Sequence, residues 1–131
     1  VSIKTDNDIA GMREAGRLAA DVLEMIEPLV EPGISTGELD RICHDHIVNV
    51  QKAIPAPLNY KGFPKSICTS VNDVICHGIP SDTKVLKQGD IINIEDTVDD
   101  GSWHVESRIM HHVGEVAPHA ERLMKGIHKC L

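Results

Sequence analysis

The stretch Asn93-Ile94-Glu95-Asp96-Thr97-Val98-Asp99-Asp100-Gly101-Ser102-Trp103-His104-Val105-Glu106 is typical of a β-hairpin, because β-forming residues flank a turn dipeptide. Asp100-Gly101 is favoured in two-residue type I′ turns, in which both central residues need positive φ. A turn centred on this dipeptide places Glu95 directly opposite Glu106 on the neighbouring strand. The sequence therefore predicts two carboxylates that face each other across an antiparallel pair.

Like charges placed opposite each other on neighbouring strands destabilise the pair unless another charge compensates them. A divalent cation between Glu95 and Glu106 is the compensation that this pattern favours, and Thr97 and His104 share the same face. Two alternatives stay open at this point. The face could be solvated, where two carboxylates repel only weakly, and a turn shifted by one residue would move one glutamate to the other face.

The composition favours a single globular domain, which we assign to residues 1–131, with no internal repeat or linker. Thirteen Lys and Arg against twenty Asp and Glu give a net charge of −7, so nucleic acid is not an expected partner. No apolar run reaches the roughly twenty residues that span a bilayer, and we expect neither a leader nor a membrane contact. The expected location is the cytoplasm.

Two amphipathic helices are predicted in the first fifty residues. Apolar side chains recur at three- and four-residue steps from Ile9 to Ile26, and Pro32-Gly33 ends this segment. A second buried stripe is expected from Leu39 to Val50, after a sequence that resembles a capping box. The candidate N-caps are Asp6 or Asn7 for the first helix and Ser35 or Thr36 for the second.

Short strands are predicted at residues 67–70 and 74–77, followed by the hairpin, whose second strand should run from Trp103 to Val113. The segment from Pro118 to Leu131 has the composition of a third helix. The order of two helices, antiparallel strands and a helix predicts an α+β fold.

Five segments of the chain follow one family pattern: Arg13-Glu14-Ala15-Gly16-Arg17-Leu18-Ala19-Ala20, Pro32-Gly33-Ile34-Ser35-Thr36-Gly37-Glu38-Leu39-Asp40, Gly62-Phe63-Pro64-Lys65-Ser66-Ile67-Cys68, Cys76-His77-Gly78-Ile79-Pro80 and Gly89-Asp90-Ile91-Ile92-Asn93-Ile94. Together they strongly resemble the type I methionine aminopeptidases of bacteria. The likeness runs along residues 1–131 and covers about the first half of the family's catalytic domain.

The resemblance implies half of a pita-bread fold, with two helices packed on a curved antiparallel sheet and a C-terminal helix. It also implies a metallopeptidase that removes methionine from peptides whose N-terminus is methionine. The implied cofactor is a divalent metal, Mn, Co, Fe or Zn, with two ions in an assembled site. In this chemistry the metals lower the pKa of a bound water and polarise the scissile carbonyl.

The resemblance also assigns individual residues. Glu95 and Glu106 fall on two aspartate ligands of the family, and His77 falls on a histidine that contacts the substrate amide, so these three form the implied catalytic set. His104 is a further candidate metal ligand because it neighbours both glutamates on the hairpin face. The wall of the methionine pocket is implied at Pro57, Tyr60, Phe63 and Cys68, and His77 also belongs to the substrate-binding set.

Replacing both aspartates by glutamates lengthens each ligand by one methylene, and metal sites tolerate only small ligand displacements. We therefore expect weak or absent activity. The family's second half supplies His, Glu and Glu, and this chain offers His77, Glu95 and Glu106. A symmetric homodimer would restore a dinuclear site. The alternatives are a catalytically inactive folding or assembly module, and a half that needs a separate complementary half.

Overall fold

Three α-helices and four strands follow one another in residues 3–130, the part of the chain that the computed structural model describes. The elements are α1 (Asp6–Ile26), α2 (Thr36–Asp45), β1 (Ile54–Pro55), β2 (Ile67–Val71), β3 (Ile91–Asp99), β4 (His104–His112) and α3 (Pro118–Cys130). The predicted α+β class is confirmed. Leu131, the predicted last residue of the third helix, and both ends of the predicted domain 1–131 lie outside the described residues.

Helix α1 is capped by Thr5, so the predicted caps Asp6 and Asn7 are wrong, the first of them by one residue. The Thr5 hydroxyl accepts a hydrogen bond from the Asp8 amide at 3.3 Å, and the Asp8 carboxylate accepts one from the Thr5 amide at 2.8 Å. This capping box satisfies amide groups that the first turn leaves without helical partners. The buried face of α1 consists of Ala15, Leu18, Ala19, Val22, Leu23 and Ile26, and it packs on β3 and β4.

Helix α2 begins at the predicted position, since the Ser35 hydroxyl accepts a hydrogen bond from the Glu38 amide at 3.1 Å. The chain continues beyond α2 as a π-helical turn, His46–Val50. Ile47 in this turn is buried as predicted, whereas Val50 is 64 % exposed. The predicted buried stripe is therefore wrong at its end.

Strand β3 is the centre of a four-stranded antiparallel sheet. It pairs with β4 along its whole length and with β2 and then β1 at successive positions. Ile92, Ile94 and Val98 point from β3 into the core beneath the helices. No helix within residues 3–130 is long and apolar enough to cross a membrane.

The predicted strand at residues 74–77 is wrong. Residues 72–80 form a loop that folds back on β2, where the Thr69 amide donates to the Gly78 carbonyl at 2.8 Å and the Gly78 amide donates to the Ser70 hydroxyl at 3.2 Å. These contacts satisfy the edge of β2 without regular pairing by residues 74–77.

The hairpin loop between β3 and β4 is longer than predicted. Asp99 pairs with His104, so four residues rather than two connect the strands. The Asp100 carboxylate accepts hydrogen bonds from the amides of Ser102 at 2.9 Å and Trp103 at 2.8 Å. These bonds stabilise the wider loop, because Asp side chains readily cap nearby backbone amides in turns.

The longer loop moves the pairing register by two residues. Thr97 lies opposite Glu106, and Glu95 lies opposite Arg108. The predicted direct opposition of Glu95 and Glu106 is therefore wrong. Because side chains alternate between the faces of a strand with a period of two, this shift leaves both glutamates on the same face.

Candidate active-site groove

The face of the sheet opposite the helices forms the floor of an open groove of about 990 Å³. Alternate residues of β3 and β4 form this floor, and the segment between β1 and β2 forms one wall. The structure brings every predicted site residue to this groove, from four separate parts of the chain: Pro57, Tyr60, Phe63, Cys68, His77, Glu95, His104 and Glu106. Their individual roles remain predictions.

Glu95 lies at the base of the groove and is only 6 % exposed. Its Oε1 atom accepts a hydrogen bond from the Asn93 side-chain amide at 2.7 Å. The same oxygen is 3.6 Å from Nη1 of Arg108, the residue opposite Glu95 on β4. A buried carboxylate needs such partners, because burial without them is costly for a charged group.

Sequence reasoning missed both partners of Glu95. Asn93 lies two residues away on the same strand face, a spacing that could have suggested the contact. Arg108 became a neighbour only through the shifted register. Its position could have been found by treating Asp100 as a cap of a four-residue loop rather than as a residue of a two-residue turn.

Glu106 and His104 lie on β4 with exposed side chains, across the groove floor from Glu95. Within residues 3–130, no three His, Cys, Asp or Glu side chains converge in a group that could hold a metal ion. Oε1 of Glu95 already accepts a hydrogen bond from the Asn93 side chain and faces the guanidinium of Arg108. The described residues of one chain therefore do not by themselves fit a divalent ion.

Cys68 forms part of the groove lining and is 8 % exposed. Burial raises the pKa of its thiol to about 11, and the nearby charges of Glu95 and Glu106 add to this effect. The thiol is consequently neutral at physiological pH. A neutral thiol behaves as a small apolar group, which suits the wall of a pocket for an apolar side chain.

His77 reaches the groove from the loop of residues 72–80. Its backbone has a φ of 54°, in the left-handed region, where non-glycine residues are uncommon. The hydrogen bonds between Gly78 and β2 hold this loop in place. The loop thus presents an exposed imidazole at the groove edge from an anchored backbone.

The apolar wall is attached to the central strand. The Ala56 amide donates a hydrogen bond to the Thr97 carbonyl at 2.9 Å, directly beside the groove floor. Tyr60 is 65 % exposed at the rim, whereas Phe63 is partly buried. The groove therefore joins an apolar wall to a floor with the acidic side chains of Glu95, Asp99 and Glu106.

Comparison with known proteins agrees with the resemblance found in the sequence. The chain is 58% identical to the methionine aminopeptidase of Escherichia coli (strain K12) over 125 residues, which are 95% of this chain and 47% of that protein. It is 52% identical over 132 residues to the Haemophilus influenzae methionine aminopeptidase, covering 100% of this chain and 49% of that protein. The chain spans about half the length of the curated relatives it matches.

Solved structures show the same relationship. The methionine aminopeptidase of Rickettsia prowazekii superposes with a TM-score of 0.92 at 50% identity, over 95% of this chain and 50% of that chain. The methionine aminopeptidase of Thermotoga maritima has a TM-score of 0.90 at 26% identity, with the same coverage. The fold is thus half of the pita-bread fold of these enzymes. Residues 10–131 match the model of the metallopeptidase family M24, and the chain belongs to that family.

Proposed function

We propose that this chain is a methionine aminopeptidase-like half-domain whose groove holds the N-terminal methionine of a peptide. A second copy of the chain completes the metal site beside it. The observation that carries this proposal is that the predicted pocket and ligand residues all line one groove. A fold-level likeness alone would not support a function, since function depends on the site.

The two surfaces of the groove suit two groups of an N-terminal methionine, its apolar side chain and its charged amine. Tyr60, Phe63 and the neutral Cys68 offer an apolar surface to a methionine side chain. The acidic floor, with Glu95 and Glu106, favours the positively charged N-terminal amine of a peptide. In this proposal His77, which lines the groove, donates a hydrogen bond to the oxygen of the scissile carbonyl.

A second copy would supply the ligands that one chain does not bring together. In a twofold interface the same patch faces itself, so His77, Glu95 and Glu106 of both chains would meet. Exposed apolar side chains at the groove would be covered in such a dimer, among them Ile54 (57 % exposed) and Ile79 (58 % exposed). The proposed ions are Mn²⁺, Co²⁺, Fe²⁺ or Zn²⁺, two for each pair of chains.

Release of methionine from a Met-Ala-Ser peptide in the presence of Mn²⁺ or Co²⁺ tests the activity. We expect weak, metal-dependent release that Glu95→Ala reduces at least tenfold, because this change removes a ligand and a charge from the groove floor. The matched control is Glu24→Ala, which removes an exposed carboxylate from α1 and should leave the rate unchanged. Metal-independent release, or equal rates in the chain and Glu95→Ala, would contradict the proposal, and absence of release with every ion would favour the inactive module.

A further inference from the structure

We infer that Arg108 is an internal competitor for metal: its guanidinium acts as the counter-ion of Glu95 and lowers the affinity of the groove for a divalent cation. The inference rests on the proposed function in taking Glu95 as a metal ligand. It goes further by identifying the group in this chain that opposes metal binding.

The position of Arg108 follows from the hairpin register. Arg108 and Glu95 are direct partners on β4 and β3, and side chains of opposed strand residues lie close together. Nη1 of Arg108 is 3.6 Å from Oε1 of Glu95. Asn93 donates a hydrogen bond to the same oxygen, so this atom faces one positive charge and one neutral donor.

The two members of the pair differ strongly in exposure. The side chain of Glu95 is 7 % exposed, whereas that of Arg108 is 64 % exposed. The carboxylate therefore depends on a nearby cation for charge compensation. The guanidinium does not depend on the carboxylate, because water solvates it where it stands, and it can turn away from Glu95 at little cost.

A divalent cation at Glu95 would compete with Arg108 to compensate the charge of the carboxylate. Both are positive, and two cations beside one carboxylate repel each other. Within residues 3–130, moreover, no three-ligand group compensates that repulsion. The arginine contact is a single approach at 3.6 Å rather than a bidentate pair, so it is weak enough to be displaced. Arg108 is thus expected to lower metal affinity without abolishing it.

The test is Mn²⁺ binding to the full chain, measured by the electron paramagnetic resonance signal of free Mn²⁺. We expect Arg108→Gln to bind Mn²⁺ about tenfold more tightly than the unchanged chain, whereas Arg108→Lys, which keeps the charge, should stay within about threefold. Arg122→Gln is the matched control, because it removes the same charge from an exposed residue of α3, whereas Arg108 contacts Glu95. The gain should disappear in the double variant Glu95→Gln/Arg108→Gln.

Thermal unfolding adds a readout that separates competition from simple damage. Without metal, Arg108→Gln should lower the unfolding temperature, because Glu95 loses its counter-ion. Added Mn²⁺ should raise the unfolding temperature of this variant again. Equal Mn²⁺ affinities in Arg108→Gln and Arg122→Gln, in chains that bind Mn²⁺, would overturn the role of Arg108 and leave the proposed function standing. Absence of Mn²⁺ binding in every variant, Arg108→Gln included, would overturn both.

Discussion

At the scale of single residues, Asp96 is the most unusual group in the core. It is fully buried on the helix-facing side of β3, and neither carboxyl oxygen has a hydrogen-bond partner among the described residues. Burial raises the pKa of this carboxyl to about 8. Asp96 is therefore mostly protonated at neutral pH, since ionisation would leave an uncompensated charge in an apolar environment.

This protonation makes stability depend on pH. Between about pH 4 and pH 8 the native state holds a proton on Asp96 that the unfolded chain has released, so the free energy of unfolding should fall as pH rises through this range. The expected loss is on the order of a few kcal/mol, and it should level off above pH 8. Urea unfolding at pH 5, 6.5 and 8 measures it.

Asp96→Asn is the matched control for this effect, because it keeps the shape of the side chain and cannot ionise. His111 contributes the opposite trend, since burial lowers the pKa of its imidazole and stability is lost as pH falls below its unfolded pKa near 6.5. The unchanged protein and Asp96→Asn both contain His111. The difference between their free energies of unfolding therefore isolates the contribution of Asp96. Parallel pH profiles of the chain and Asp96→Asn would show that Asp96 does not titrate as described.

At the scale of elements, the loop of residues 72–80 decides whether His77 and Ile79 reach the groove. A Cβ on Gly78 would collide with the carbonyl oxygen of Thr69 on β2. We therefore expect Gly78→Ala to break the contact between the loop and β2 and to lower the free energy of unfolding by about 1–3 kcal/mol. Urea unfolding and limited thermolysin cleavage near the exposed Ile75 measure the two effects.

Gly126→Ala is the control for this substitution. A Cβ at Gly126, inside α3, would meet nothing within 4 Å. Since alanine favours helix more than glycine, this variant should be stabilised by up to about 1 kcal/mol and should keep its loop protected from protease. Unchanged stability and cleavage in Gly78→Ala would mean that the loop is not anchored through Gly78.

At the scale of the whole molecule, the groove would be covered by the proposed second copy. Sedimentation should give the mass of two chains in the presence of Mn²⁺. Metal analysis of the same species should give one bound ion per chain. Ile79→Asp should shift the protein toward monomer, because it places a charge in the apolar part of the interface. The matched control is Val85→Asp, which alters another exposed aliphatic side chain outside the groove lining.

A strict monomer with and without Mn²⁺ or Co²⁺ would contradict the homodimer. It would favour the alternative in which a separate complementary half closes the groove. A dimer whose mass and stability do not change when metal is added would instead favour the assembly module without a metal site.

Much of the fold was predictable because its signals are local. The periodic apolar residues of α1 and the Ser35 cap of α2 each depend on neighbours within a few residues. The candidate site was predictable for a different reason. Several sequence segments match a known family, and the resemblance places His77, Glu95 and the pocket wall together although they are distant along the chain.

The sequence by itself thus determined the α+β class, the family and the face of the sheet on which the two glutamates lie. Only the tertiary structure decided the hairpin register, the folding of residues 72–80 against β2, and the pairing of Glu95 with Arg108. The physical reason is that these features depend on competition between alternative hydrogen-bonded pairings of similar local quality. The Asp100 carboxylate, by holding two loop amides, selected a pairing that the dipeptide Asp100-Gly101 alone does not reveal.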